Sequence, residues 1–455
     1  MFQRFRHPLV AVFGAVGLTA PWMYLWGTSG GHAASPGLTV LVSGIAILGA
    51  SFLLAWGAET AEKDVPRAFA IAILAVLAVA PEYAVDALYA WGAGSGGATT
   101  EACAQFTAAQ LESADPGTLA AACHDANLAV ANMTGANRIL IGLGWSGIAL
   151  FTIYRTLSSE DPSVEDRDGL LADVVHLDRN IAVEIAFLLG ATVFAFLVPL
   201  GGGIGVVDTL VLVGLYVAYI AIVISGDVEE VEEQVGVPAY FHGYPKVGRA
   251  FVSISLFLYA GFLIYIAVHP FATGLETMGT SVGIPDFFMI QWIAPLASES
   301  PELIVVAYLV NKARSTAGFN ALISSKLNQW TLLIGTLALV YSLGLGQVGT
   351  LPFDPRQSAE IWITAGQSFF AIAVLINFNI SAREAVALLV LFLTQVVVEF
   401  ALIREWVALP ISSHDLLLAY TAVYILLGVA LFARRREELK WVVSRARAAG
   451  RRTFK

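Results

Sequence analysis

Apolar residues run along this chain in blocks of about 20, parted by short polar stretches, and that is the length that crosses a bilayer as a helix. The blocks predict spans at 8–26, 38–58, 66–92, 126–154, 181–199, 204–225, 250–270, 282–310, 315–345, 358–380, 383–403 and 414–433. The first block follows MFQRFRHPL and has the look of a signal peptide. It lacks an evident small-residue cleavage site and more spans follow, so it reads as a retained first helix. Lys and Arg test the orientation. With the N-terminus inside, the inner segments hold Arg4, Arg6, Lys63, Arg67, Arg155, Arg167, Arg179, Lys246, Arg249, Lys312, Arg314, Arg383 and the basic residues of the tail from Arg434 to Lys455. Only Arg356 and Arg404 fall outside, while Arg138 and Lys326 lie within spans. This asymmetry predicts both termini in the cytoplasm.

Composition agrees with the pattern. Of 455 residues, 57 % are hydrophobic and 13 % charged, with a mean hydropathy of +0.74. The expected class is therefore an all-α polytopic membrane protein of about twelve spans, with the lipid bilayer as its main partner. The alanine-rich, lysine-poor usage is that of a high-GC bacterial chain, whose address would be the inner or plasma membrane.

The loops add less. The largest outer loop is acidic, free of Lys and Arg, and carries the only cysteines, Cys103 and Cys123. Paired, they would close a loop of about 20 residues, worth about 3 kcal/mol in the chain-entropy picture, in a location that permits the bond. Two inner loops are acidic: SSEDPSVEDRDG, and GDVEEVEEQVGVP with Asp227, Glu229, Glu230, Glu232 and Glu233. They read first as solvated helix starts, with a regulatory cation site as the other reading of the second. The tail RRREELKWVVSRARAAGRRTFK reads as an interfacial helix on anionic lipid and not as a nucleic-acid binder.

Chemistry concentrates where ionisable residues enter the spans, a costly placement that marks function by default. The third span contains AVAPEYAVD, with Glu82 in its middle and Asp86 one turn on; the eighth contains PLASESPEL, with Ser298, Glu299 and Glu302. Both carry a Pro-Glu pair, Pro81-Glu82 and Pro301-Glu302. The two spans are five apart and so cross in opposite directions, which is the signature of an inverted-topology repeat with its site at the midplane. Proline cannot donate to the carbonyl four residues back (Leu77 or Ala297), and free carbonyls at that depth persist only where something polar coordinates them. Carboxylates and freed carbonyls make hard-oxygen ligands, suited to Ca²⁺ or Na⁺. The following spans match as well, reading ANMTGANRILIG (131–142) and SSKLNQWTLLIG (324–335), with small residues for close helix contact and polar ones to face a site.

Paired Pro-Glu segments, each followed by a small-small-polar segment, resemble the two α-repeats of the calcium/cation antiporter superfamily, whose pattern is G-T-S-x-P-E and then G-S-N-x-x-N. The likeness covers about 66–145 and 282–335. It implies a five-plus-five plan, with halves at 38–225 and 250–403 around the acidic loop 226–249. The first helix (1–37) and the last helix with its tail (404–455) are then additions. It further implies antiport of Ca²⁺ or a related cation against Na⁺ or H⁺ by alternating access, with Glu82 and Glu302 as central ligands, Asn137 assisting, and no cofactor besides the transported ions.

The departures from that pattern are specific. Ala78-Val79 replaces the hydroxyl pair of the first repeat; the second keeps Ser298 but has Glu299 in a serine place, and Asp86 stands for a small hydroxyl residue. Lys326 stands where the family has Asn or Asp, opposite Asn137. Such a lysine reads as a counter-ion for Glu299, as a cation filling a subsite, as a titrating group, or as a chain that reaches the inner surface and does nothing. Arg138, about 100° around the helix from Asn137, reads in the last way too. Extra carboxylates ease proton binding and lost hydroxyls weaken Na⁺ sites, so the balance favours H⁺ as the coupling ion. Two other classes remain: a transport-inactive cation sensor, and a membrane-embedded enzyme. The latter has no Gly-x-Ser-x-Gly or H-E-x-x-H run to stand on.

Overall fold

A computed structural model describes residues 7–30, 35–61, 63–64, 80–156, 161–225, 236–407 and 410–453. The long helices among them are α1 (Pro8–Ser29), α2 (Pro36–Ala61), α3 (Ala80–Ser95), α4 (Leu119–Thr156), α5 (Arg179–Gly201), α6 (Val206–Ser225), α7 (Lys246–Ser281), α8 (Asp286–Asn311), α9 (315–345), α10 (Pro355–Leu375), α11 (Ala382–Ile403), α12 (Ser413–Arg434) and α13 (Arg436–Thr453). Nine of the described helices are long and apolar enough to cross a membrane, or ten if the broken pair Asp286–Ser300 and Glu302–Asn311 is one span. Two predicted spans differ from the expected twelve. Of 66–92 only the part from Ala80 is described, so the Leu77 carbonyl and Ala78-Val79 lie outside the described residues, as does the acidic run Asp227–Glu233. The ninth is helical throughout 315–345, but Ser324, Ser325, Lys326, Asn328 and Gln329 make its centre too polar to pass on hydropathy.

Contacts divide the chain into two compact units, Met1–Leu88 with Val223–Pro301, and Tyr89–Ile222 with Glu302–Lys455. In the first, α2 runs along α7 and α1 packs on α2 at Gly49, where an added Cβ would meet the Ala15 carbonyl at 2.6 Å. Only glycine permits that approach. The Thr19 hydroxyl meets Tyr259 Oη at 2.7 Å between α1 and α7. Past the end of α2, Arg249 grips Asp64 through Nε (2.7 Å) and Nη2 (2.5 Å), and this pairing holds the Asp64 carboxyl below its ordinary value. Lys63 also donates to the His242 carbonyl at 3.1 Å.

The second unit sorts its loops into two sets that match the Lys/Arg assignment. One set joins β1 (Val164–Glu165), β2 (Val174–His176) and β5 (Asn379–Ser381) into a small antiparallel sheet, with Asp161 accepting from Ser315 Oγ at 2.6 Å. The other pairs β3 (Gly203–Ile204) with β4 (Leu351–Pro352), and there Asn127 donates to Asp354 at 3.1 Å. The tail forms helix α13, against α5 and α12, with Val442 buried and the Arg179 guanidinium 5.6 Å from the Trp441 ring.

The loop between α3 and α4 is built around a Cys103–Cys123 disulfide with Cα atoms 5.5 Å apart. One short helix, Thr100–Cys103 capped by Thr99, ends on the first cysteine, and a second, Ala108–Glu112 held by a Thr107/Gln110 capping box, lies between the two. Helix α4 starts well before the apolar run, because Thr118 caps it by accepting from Ala121 N. Cys123→Ser is expected to loosen this loop alone: proteolysis between 99 and 118 speeds up while cation flux persists. An unchanged cleavage rate would show that the caps suffice.

Candidate functional site

In the first unit, Glu82 and Asp86 lie one turn apart on α3 and share a face; both are buried, Asp86 completely. On α8, Glu299 is 1 % exposed, and Ser298 beside it turns its hydroxyl back to the Ala294 (3.2 Å) and Pro295 (3.3 Å) carbonyls. Two turns before Ser298, the fully buried amide of Gln291 has no hydrogen-bond partner among the described residues. It falls on the Ser298 face of the helix, and nothing in the Pro-Glu pattern pointed to it.

In the second unit, Glu302 Oε2 accepts from Ser325 Oγ at 2.9 Å, so the first residue of α8 after its break is tied to the polar centre of α9. The next residue, Lys326, is completely buried. Its Nζ donates to Asn137 twice, to Oδ1 at 2.8 Å and to the main-chain oxygen at 3.1 Å. The Trp330 ring, one turn along α9, lies 4.3 Å from the ammonium. Asn137 Nδ2 donates to the Met133 carbonyl at 2.8 Å, which leaves Oδ1 facing the lysine. This corrects the surface-seeking reading of Lys326.

It corrects that reading of Arg138 as well. Arg138 is 1 % exposed and points away from Asn137 into an ion pair with Glu360 Oε2 at 2.6 Å. It also donates to Gln395 Oε1, and Gln395 Nε2 passes the network on to Glu399 Oε2 at 2.6 Å. Arg356 and Ser413 close it on Glu399 Oε1 at 3.1 and 3.2 Å. Arg356, one of the two basic residues that the charge count leaves on the outer side, is therefore half of an ion pair at a helix start.

Both halves of the second unit share a backbone feature that no residue pattern announced. Helix α4 turns π-helical at Leu140–Trp145, and α9 does so at Gln329–Leu333. Asn137 stands three residues before the first segment and Lys326 three before the second, so the two occupy equivalent places in the repeats. π-Helical turns loosen the regular carbonyl ladder and cluster at functional sites. Here the Arg138 carbonyl accepts from Gln367 Nε2 at 3.4 Å, and Gly142 lies where an added Cβ would strike the Phe392 ring at 2.3 Å, so α4 and α11 meet backbone to ring.

Within the second unit, Glu302 and Asn137 offer charged and neutral hard oxygens, and Lys326 adds an ammonium held by Asn137. Among the described residues no group of three or more His, Cys, Asp or Glu is arranged to hold a metal as a closed cage.

Comparison with known proteins gives the same class. The sequence profile of the family described as "Sodium/calcium exchanger protein" matches residues 117–225 and 252–401. The crystal structure of H⁺/Ca²⁺ exchanger CAX is 40 % identical, over 97 % of this chain and 98 % of that one, with a TM-score of 0.81. Native YfkE shares the fold, with a TM-score of 0.55 at 14 % identity over 86 % of this chain and all of its own. Among curated protein sequences nothing matches. With a profile match over more than half its length and a solved relative at this identity along nearly all of it, the chain belongs to the sodium/calcium exchanger family.

Proposed function

We propose that this protein is a secondary antiporter that moves Ca²⁺, or a related divalent cation, across the cell membrane in exchange for H⁺ by alternating access. The observation that carries the reading is the placing of four carboxylates, Glu82, Asp86, Glu299 and Glu302, within spans built on matched Pro-Glu pairs. Three of them are buried, and charge at that depth is tolerated where it serves an ion path. Glu82 and Glu302 are the primary ligands, assigned by the repeat motif. The 40 % identity to an H⁺/Ca²⁺ exchanger supports protons as the driving ion, and so does the exchange of hydroxyl for carboxylate at Glu299 and Asp86. Carboxylates take up protons where hydroxyls do not. The first two helices of each half slide past the site to open it to the other side. Both termini face the cytoplasm, as the Lys/Arg distribution requires. The protein carries out no covalent chemistry, uses no cofactor and binds no nucleic acid.

Proteoliposomes holding the purified chain should take up ⁴⁵Ca²⁺ when a pH gradient is imposed, and far less under a Na⁺ gradient of equal size. Uptake driven by Na⁺ alone would move the coupling to Na⁺. No gradient-driven uptake of any divalent ion would favour the sensor reading.

A further inference from the structure

The tail helix α13 does not spend its apolar face as a helix lying in a bilayer surface would. Leu439, Val442, Val443, Ala446 and Gly450 recur at i, i+3, i+4, i+7 and i+11, the spacing of one helical stripe. That stripe is turned onto the protein: Val442 is fully buried, and an added Cβ on Gly450 would touch Ile222 of α6 at 3.8 Å. Arg435 fixes the corner between α12 and α13. It departs from the regular helix (φ −105°, ψ 33°), and its guanidinium donates to the Ala373 carbonyl at 3.0 Å and to the Glu384 carboxylate. What α13 presents to its surroundings is therefore charge. Arg436, Lys440, Arg447 and Arg451 are all exposed, and they fall within about 60° of one another around the helix at 100° per residue. Glu437 reaches Lys440 at 2.9 Å and Arg436 at 3.4 Å, but pairs this exposed are weak and give way to another anion. Trp441 marks the other flank, where its ring lies 5.5 Å from Phe378 and 5.6 Å from the Arg179 guanidinium.

Where the basic stripe begins, α13 meets a groove of about 430 Å³ lined by apolar side chains alone. Leu189 and Val193 of α5, Phe369 of α10, Val429 and Phe432 of α12 and Leu439 of α13 form it, with the two phenylalanine rings 4.9 Å apart. Val193 and Val429 are half exposed, so the groove is open at the outer surface of the spans, where the solvent is lipid. An apolar slot with cationic groups at one end fits a membrane lipid with an anionic head. A soluble anion would leave the slot unfilled, and a zwitterionic lipid would leave the positive charge unmatched.

We propose that this groove binds an anionic phospholipid. An acyl chain lies between α5 and α12 against Leu439, and the phosphate is held by Arg436 and Lys440, which flank Leu439 on the charged side of α13. Arg447 and Arg451 draw further anionic headgroups to the same flank. The bound lipid fastens α13 to the spans in the leaflet that the Lys/Arg distribution makes cytoplasmic. The inference concerns the lipid around the protein and holds whichever ions are exchanged.

The full chain, purified in mild detergent, is titrated with dioleoyl phosphatidylglycerol or dioleoyl phosphatidylcholine, and retained lipids are counted by native mass spectrometry. Wild type should hold one phosphatidylglycerol about thirtyfold more tightly than phosphatidylcholine, the preference that two basic residues near an anionic surface supply. Arg436→Gln with Lys440→Gln should lose that preference. Arg445→Gln with Arg452→Gln takes the same charge from the Trp441 flank and should keep it. Val193→Trp pushes a bulky ring into the groove from a half-exposed position and should lose the tightly held lipid of either kind; Leu439→Trp does so from α13. Excess inorganic phosphate should displace nothing.

Equal retention of the two lipids by wild type would sink the proposal without any variant. An equal loss in the two double variants would reduce the effect to net charge, and displacement by inorganic phosphate would make this a soluble-anion site. A dimer that Val193→Trp abolishes would put a second copy of the chain in the groove instead. None of these readouts involves transport, so the lipid site and the antiport reading fail separately.

Discussion

Glu302→Gln is expected to abolish cation flux while leaving the protein folded. Glutamine has the size of the glutamate it replaces, and its Oε1 still accepts from Ser325 Oγ, so the tie between α8 and α9 survives. What disappears is a negative charge at a depth where water does little to replace it. A single pair of unit charges 4 Å apart is worth about 4 kcal/mol at an effective dielectric of about 20. At about 1.4 kcal/mol per decade this is almost three orders of magnitude in affinity, before the second charge of a divalent ion is counted. Proton binding at this position goes as well, because an amide does not titrate in the working range. Gradient-driven ⁴⁵Ca²⁺ uptake should therefore fall to background in proteoliposomes, with the elution profile and thermal midpoint close to wild type. Ser325→Ala provides the contrast: it removes one hydrogen bond, worth about 1 kcal/mol, and should slow uptake by roughly tenfold or less. A glutamine variant that still transports at a comparable rate would show that Glu302 is not a ligand.

Much of this architecture was legible in the sequence because a bilayer imposes few solutions. Span lengths and two Pro-Glu pairs five spans apart were enough to point to an all-helical membrane exchanger. The loops that the charge count put on one side are those that meet in the small sheet of residues 164–165, 174–176 and 379–381. The buried network was missed for a different reason. Glu360 and Glu399 are ionisable residues inside apolar runs, as suspect on cost as Glu82, but they lie outside the Pro-Glu pattern. Arg138 was misread with them. Its partner is 222 residues away in sequence, and a helical wheel shows only that it turns from Asn137, not what waits on the other side. The π-helical segments were also out of reach, since LIGLGW and QWTLL read like any other apolar turn of a span.

That network gives the largest expected effect on stability. Arg138 and Glu360 expose 2 % and 1 % of their side chains, so their ion pair replaces part of the solvation that both lost. Arg138→Met leaves the Glu360 carboxylate buried without its guanidinium, and removing one partner of a buried pair costs about 3–5 kcal/mol. The damage should spread along the chain of contacts, because Gln395 loses a donor and it is Gln395 that holds Glu399 against Arg356. Glu360→Met should hurt comparably, by taking the Glu360 carboxylate from a buried guanidinium. The double variant Arg138→Met with Glu360→Met replaces the pair by two flexible apolar chains and should recover most of the loss, since an apolar substitute for a buried ion pair is often neutral. Denaturation in detergent, followed as the midpoint of each single and of the double, measures the coupling directly. The double should also retain ⁴⁵Ca²⁺ uptake if the pair serves only to lock α4 against α10 and α11. Uptake lost in a double variant of restored stability would mean that Arg138 sets the position of Asn137, and through it of Lys326. Single variants as stable as wild type would mean that the pair contributes nothing to holding these helices together.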